Sequence, residues 1–274
     1  MIKNLFDIKN KNIVISGANG FLGKNLFETI IDLGGNPISL DLDDKNILKS
    51  KFKKKILARK LTYKVDITNE SQIKSTISQI HKKFKKIDGL VNLAALAMPQ
   101  MKNDKGYFES FENYNSHHWN KSLKINLSGT FLVTQNVIKI MSKNKSGSII
   151  NMSSDVAVIS PDHSIYLPDT KINYKGVNFN TPIPYVVSKT AILGFTRYLA
   201  TLYAKKNIRV NSISPSGVFN KQPIKFVKKL SSKIPLGRMA KPHEINNAII
   251  YLLSDASSFT TGSNMIIDGG RTII

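Results

Sequence analysis

Tyr185 and Lys189 stand four residues apart in the run Tyr185-Val186-Val187-Ser188-Lys189. Residues at that interval share one face of an α-helix, so a phenol and an ammonium there can form one acid–base unit. A second cluster, Gly17-Ala18-Asn19-Gly20-Phe21-Leu22-Gly23, directly follows an apolar segment that ends at Ser16. Glycines allow a tight turn and close backbone approach, and the amides of a helix that starts there meet a pyrophosphate. A dinucleotide site combined with a phenol–ammonium pair predicts hydride transfer to or from a carbonyl carbon, with the phenol handling the proton.

These groups need a scaffold, and the chain alternates β-rich apolar runs with helical patterns throughout. Strands are expected at 12–16, 37–40, 61–65, 90–93, 148–152, 208–213 and 264–267. Helices are expected at 21–33, around 46–60, through Ile73, Ile77, Ile80 and Phe84, and at 119–141, 185–205 and 242–253. Such alternation predicts an α/β fold: a doubly wound, Rossmann-type parallel sheet of seven strands with helices on both faces. Ligands then bind beyond the carboxyl ends of the strands. No internal repeat or linker divides residues 1–274, so a single dinucleotide-binding catalytic domain is expected. Two long stretches, about 97–116 and 156–184, interrupt the rhythm at that ligand edge and are expected to be substrate-loop insertions.

Asp41 ends the second strand, 18 residues after Gly23. A carboxylate there accepts hydrogen bonds from the adenosine ribose and repels a 2′-phosphate, so NAD(H) is expected over NADP(H). Asp66, at the end of the third strand, suits the adenine amino group or the cap of the helix that starts near Asn69.

Composition narrows the partners. Cysteine is absent, which excludes disulfides and thiolate metal sites, and five scattered histidines give no metal cluster. No run reaches the roughly 20 apolar residues that span a bilayer, and the start of the chain lacks a signal-peptide pattern. A cytoplasmic protein without membrane contact is expected. The net charge of +22 is almost all lysine. Its dense runs at 45–60, 82–86 and 221–233 lack the interleaved aromatics of a single-strand stacking platform. Solvated faces are therefore expected, rather than a nucleic-acid partner; an anionic small substrate such as a sugar nucleotide would still be attracted.

Several further motifs occur in fixed order. They are Val91-Asn92-Leu93-Ala94-Ala95, Asn126-Leu127-Ser128-Gly129, Asn151-Met152-Ser153-Ser154, the Tyr185–Lys189 run and Arg209-Val210-Asn211-Ser212-Ile213-Ser214-Pro215. A tail with Pro235-Leu236-Gly237-Arg238, Thr261-Gly262 and Asp268-Gly269-Gly270 follows. Over nearly its whole length the chain resembles the short-chain dehydrogenase/reductase family, in its compact branch. The resemblance implies Tyr185 as general acid or base, Lys189 as its partner and a holder of the nicotinamide ribose, and Ser154 as hydrogen-bond partner of the substrate oxygen. It implies Asn126 as support for a water-linked proton path to Lys189. A free phenol has a pKa near 10; Lys189 and the nicotinamide charge are expected to favour the phenolate. The implied cofactor residues are Gly17, Asn19, Gly20, Phe21, Leu22, Gly23, Asp41, Asp66, Ile67, Asn92, Ala94, Tyr185, Lys189, Pro215, Val218 and Asn220.

The chain departs from the compact branch in three places. Its glycine turn has the spacing of the extended branch of sugar-nucleotide epimerases and dehydratases, yet only 85 residues follow Lys189. Ser154 and Tyr185 are 31 positions apart, so the insertion carrying Asp162, His163, Tyr166 and Tyr174 should project over the substrate site. Tyr166 is rejected as the acid because Thr170 stands where lysine is required. Asn220 replaces the usual threonine, beside Val218, whose backbone suits the carboxamide. An NAD(H)-dependent oxidoreductase acting on a secondary alcohol or ketone is expected. The tail and insertion are similar to those of oxidoreductases of bacterial surface sugars, including flagellin-modification proteins. The alternatives are an epimerase or dehydratase that uses NAD transiently and, from another class, a basic nucleic-acid-binding protein on a non-catalytic fold. A homodimer or homotetramer is implied, with Ile192, Phe195, Leu199 and Leu202 fitting either an interface or a core stripe.

Overall fold

The computed structural model describes residues 4–101, 104–166 and 180–274. Seven parallel strands form one sheet: β1 (Asn12–Ser16), β2 (Asn36–Asp41), β3 (Thr62–Lys64), β4 (Gly89–Asn92), β5 (Gly147–Met152), β6 (Ile208–Pro215) and β7 (Asn264–Ile267). Their spatial order is β3-β2-β1-β4-β5-β6-β7. The chain winds outward from β1 to β3, returns to β4 and winds outward again, so the switch point lies between β1 and β4.

Alternate residues of each strand serve opposite faces. Ile13, Ile15, Val91 and Ile150 enter one buried cluster, with Leu26, Phe27 and Ile30 of α1 (Phe21–Asp32). Val14, Leu90 and Ile149 enter the other, with Ile73, Ile77 and Ile80. Near-continuous apolar strands are what burial on both faces requires.

The remaining helices are α2 (Lys53–Ala58), α3 (Glu70–Phe84), α4 (Met98–Met101), α5 (Ser116–Leu123), α6 (Thr130–Asn144), α7 (Ile183–Tyr203), α8 (Ile224–Ser231) and α9 (Pro242–Leu253). The long helix expected over 119–141 is interrupted by a π-helical turn, Lys124–Gly129, between α5 and α6. The stretch expected as one helix over 46–60 is a 3₁₀ turn, Ile47–Lys49, followed by the short α2. The lysine run after Lys221 contains α8, which the sequence reading did not separate from its charged surroundings. Among the described residues no helix is long and apolar enough to cross a membrane.

The parallel register brings Ser16, Asn92 and Asn151 to one level, paired across β1, β4 and β5, with Ser212 of β6 beside Asn151. The side chains of Ser16, Asn92 and Asn151 are buried and bonded together. Ser16 Oγ donates to Asn92 Oδ1 at 3.4 Å, and Asn92 Nδ2 donates to Asn151 Oδ1 at 2.8 Å and Thr134 Oγ1 at 2.9 Å. Asn151 Nδ2 donates in turn to Thr196 Oγ1 of α7 at 3.0 Å. Buried polar groups are tolerable only when paired, so this row pins the sheet register just below its carboxyl edge.

Candidate active site

Beyond that edge lies a cavity of about 990 Å³. It runs from the glycine turn, past the ends of β4 and β5, to α8 and the C-terminal tail. Gly17, Asn19, Gly20, Phe21, Leu22 and Gly23 line one end. Gly17 has φ of 73°, and a Cβ there would stand 2.6 Å from Ala94 Cα. A Cβ on Gly23 would stand 2.1 Å from the Gly17 carbonyl oxygen. Only glycine lets this turn pack against the end of β4 and its own helix. The N-cap of α1, Gly20, supplies no side-chain cap, so the first-turn amides are available to an anion at the cavity wall. These features fit a dinucleotide pyrophosphate.

Asp41 lines the same end. Its Oδ2 accepts from the Asn19 amide at 2.8 Å and its Oδ1 from the Leu42 amide at 2.8 Å. Burial raises its pKa, partly offset by those amides. Asn19 is a clamp rather than a free donor: its Oδ1 accepts from the Asn46 and Ile47 amides at 2.8 and 3.0 Å, and its Nδ2 donates to Asp43 Oδ1 at 2.7 Å. Asp66 and Ile67 also line the cavity. Of the two roles open to Asp66, the helix cap belongs to Asn69, whose side chain accepts from the Gln72 amide at 3.1 Å. Asp66 Oδ1 instead accepts from the Thr68 amide and hydroxyl, both at 2.8 Å.

Ala94, Pro215, Val218 and Asn220 stand on the wall, whereas Asn92 lies behind it in the polar row. Asn126 also sits behind the wall. Its Oδ1 accepts from the Leu96 amide at 2.6 Å, and its Nδ2 donates to the Leu96 carbonyl and Ser188 Oγ, both at 3.2 Å. Asn126 lies within the π turn and ties the loop after β4 to α7.

Tyr185 and Lys189, one turn apart on α7, both face the cavity. The buried Lys189 ammonium donates to the Met152 carbonyl at the end of β5, at 2.8 Å. Ser153 Oγ donates to the Lys189 carbonyl at 2.7 Å, fastening α7 to β5. That leaves Ser154 as the site hydroxyl: it lines the cavity with Tyr185 and donates to Asp155 Oδ1 at 2.9 Å.

Burial is the largest influence on Tyr185 and pushes its pKa up to about 12; the Ser154 hydroxyl opposes this, while Asp155 and Tyr166 add to it. Burial pushes Lys189 down to about 8. The expected lowering of the phenol by Lys189 is not found: enclosure, which disfavours charge on both groups, dominates.

Residues of both long stretches line the other end of the cavity. Asp162 and Tyr166 line it, with Met98 and Gln100 from the stretch after β4. Tyr166 is buried, its hydroxyl 3.4 Å from Thr181 Oγ1 and its ring stacked on Phe226 at 5.7 Å. Tyr174 and Thr170 lie outside the described residues. Gln222, Phe226, Leu230, Asp155 and Arg271 line the cavity without having been singled out from the sequence. Among the described residues, no group of histidine and acidic side chains could hold a metal.

A family model described as enoyl-(acyl carrier protein) reductase matches residues 22–272. An NAD-dependent glycerol dehydrogenase of Listeria innocua is 33% identical, over 98% of this chain and 96% of its own length. The chain belongs to the short-chain dehydrogenase/reductase family. Post-translational flagellin modification protein A of Campylobacter coli is 29% identical, over 96% of this chain and 98% of its own. A short-chain dehydrogenase of Leptospira borgpetersenii, crystallised with NAD+, superposes with a TM-score of 0.83 at 30% identity, covering 99% of this chain and 97% of its own. Membership in this family makes the chain a nicotinamide-dependent oxidoreductase, and the glycine turn and the Ser154, Tyr185 and Lys189 cluster occupy one cavity as that activity needs.

Proposed function

We propose that this short-chain dehydrogenase/reductase uses NAD(H) to interconvert a secondary alcohol and a ketone, on a sugar or sugar nucleotide destined for surface glycans. The carrying observation is that Ser154, Tyr185 and Lys189 line one cavity, with the Lys189 ammonium 5.6 Å from the centre of the Tyr185 ring. Nicotinamide supplies a hydride donor or acceptor carbon when bound. Tyr185 gives the proton to the nascent alkoxide, or removes it in the oxidative direction, and Ser154 holds the same oxygen. Lys189 holds the nicotinamide ribose, and Asn126 supports a water-linked proton route toward it. Asp41 favours NAD(H), since its carboxylate accepts from ribose hydroxyls and repels a 2′-phosphate. Likeness to the glycerol dehydrogenase and to the flagellin modification protein supports a hydroxylated substrate and a surface-sugar setting, respectively.

The same reading places the chain in the cytoplasm as a homodimer or homotetramer. Of the four apolar α7 residues, Ile192 and Leu199 are buried, Phe195 packs on the core, and Leu202 is exposed. Leu202, Tyr198 and Phe131 of α6 are exposed and available to a second copy.

The test is Tyr185→Phe. NADH binding, followed by fluorescence titration, is expected to survive, while turnover falls by roughly 10²–10⁴-fold. Undiminished turnover of an alcohol that the parent chain oxidises refutes the assignment. Net accumulation of NADH separates this reaction from an epimerase or dehydratase cycle, which returns its cofactor unchanged.

A further inference from the structure

The tail Asp268-Gly269-Gly270-Arg271 takes no part in the chemistry above, yet it delivers a charged side chain into the cavity. Gly269 and Gly270 have φ of 66° and 92°, left-handed values that glycine adopts readily. A Cβ on Gly269 would stand 2.7 Å from Ile234 Cγ2, and one on Gly270 would stand 2.9 Å from Pro235 Cγ. Asp268 closes the turn, its Oδ1 accepting from the Gly270 amide at 2.9 Å and its Oδ2 from the Thr272 amide at 2.7 Å. Arg271, only 8% exposed, follows and lines the cavity wall.

Arg271 Nη1 donates to Asp155 Oδ2 at 2.5 Å. The other carboxylate oxygen of Asp155 accepts from Ser154 Oγ at 2.9 Å and from the Val156 amide at 2.8 Å. Two hydrogen bonds therefore connect the tail guanidinium to the Ser154 hydroxyl, which lines the cavity with the phenol. Asp155 is a positioning residue: its oxygens are engaged by protein, and it orients Ser154. Arg271 is different, because a guanidinium carries five N–H donors and the bond to Asp155 uses Nη1.

Asp155 cancels the charge of Arg271, so the pair does not call for an anion, and a second carboxylate or phosphate would be repelled by Asp155. A bare hydrocarbon chain would leave guanidinium donors desolvated and unpaired. A neutral oxygen satisfies both conditions. The stacked Tyr166 and Phe226 rings on the same cavity lining offer an apolar surface to the C–H side of such a substrate. We propose that Arg271 is a specificity-determining residue, donating to an oxygen substituent near the reacting carbon. The enzyme would thereby prefer polyol-type substrates with neighbouring hydroxyls over alcohols on plain hydrocarbon chains. This inference rests on the hydride-transfer reading of the same site.

The test compares initial rates of NADH formation from D-threitol and from 2-butanol, which share a four-carbon skeleton but differ in neighbouring hydroxyls. The parent chain is set against the double variant Asp155→Asn/Arg271→Met. Removing Arg271 alone would leave a buried, unpaired carboxylate. The double variant avoids this and keeps an oxygen for Ser154 and Val156. A thermal melt and a calorimetric NADH titration establish that it is folded and binds cofactor. If it does not fold, Arg271→Lys keeps the charge on Asp155 but lacks the planar fork, and the same ratio is read.

The ratio of kcat/KM for D-threitol to that for 2-butanol is expected to fall by roughly tenfold or more, chiefly through KM for D-threitol. An unchanged ratio, with both substrates slowed equally or neither slowed, overturns the specificity role and leaves hydride transfer standing. Parent activity on 2-butanol but not on D-threitol overturns it as well. A parent chain that binds NADH and oxidises neither alcohol overturns the polyol preference and leaves hydride transfer on a sugar substrate to the Tyr185→Phe test.

Discussion

The ammonium of Lys189 lies over the ring of Tyr185, 5.6 Å from its centre, and is tethered to the Met152 carbonyl at 2.8 Å. The tether fixes Lys189 to the end of β5, so the pair is held by the sheet and not by α7 alone. Enclosure gives the pair its character: the phenol is pushed up to about 12 and the amine down to about 8. Both shifts have a price in stability that can be measured.

Lys189 has an ordinary pKa of 10.5 and a folded value of about 8. Between those values the unfolded chain binds more protons than the folded one, so this residue makes stability rise with pH across that window. Below it, the buried ammonium opposes folding. Lys189→Met is expected to raise the melting temperature at pH 7 while abolishing turnover, and its advantage should shrink as pH approaches 10.5. Thermal melts of both proteins across that range check this; an advantage independent of pH rejects the explanation.

The glycine turn predicts a graded response. A Cβ on Gly23 would lie 2.1 Å from backbone, whereas one on Gly20 would lie 3.3 Å from the Gly17 carbonyl oxygen. Gly23→Ala is expected to destabilise the fold by about 1–3 kcal/mol and to weaken NADH binding strongly. Gly20→Ala should do less of both. Denaturant melts and NADH titrations on the two variants decide it, and equal effects would contradict the packing argument.

The proposed preference for NAD(H) rests on the charge of Asp41. Asp41→Asn is expected to improve NADPH affinity relative to NADH by roughly tenfold or more. Because burial raises the Asp41 pKa, the parent chain should also lose discrimination as pH falls toward that raised value, at a higher pH than an ordinary aspartate would. Dissociation constants for both cofactors at neutral and acidic pH measure the effect. A ratio insensitive to both the substitution and pH would remove Asp41 from this role.

At the start of α9, Glu244 bonds both guanidinium nitrogens of Arg238, at 2.7 and 2.8 Å, and its carboxylate accepts from the Lys241 amide at 2.7 Å. Arg238 is the main reason that its pKa drops to about 2, with the Lys241 amide next. Its contribution to stability is complete above its ordinary value of 4.5 and is lost as pH falls toward about 2. Glu244→Gln should therefore lower the melting temperature at pH 7 and make little difference at pH 2. The gap should narrow in high salt, since the pair is exposed.

Features encoded within a few residues were legible in the chain. The boundaries of α9 coincide with Pro242–Leu253 because a proline opens it and Glu244 caps it. The strands were found because β-branched apolar runs buried on both faces leave a plain trace. The interval between Tyr185 and Lys189 was enough to put both on one side of α7. The boundaries of α5 and α6 were missed because the π turn at Lys124–Gly129 has no local signature of its own.

By itself, then, the sequence determined the alternating elements, the glycine turn and the phenol–amine pair, since periodicity, capping and backbone freedom act over one or two helical turns. Only the tertiary structure decided that Asn92 belongs to a polar row across the sheet, that Ser153 fastens α7, and that Asp155 meets an arginine 116 positions away. Those partners are set by strand register and by where the closing turns deliver the chain. Such contacts depend on the assembled sheet, and no interval along the sequence records them.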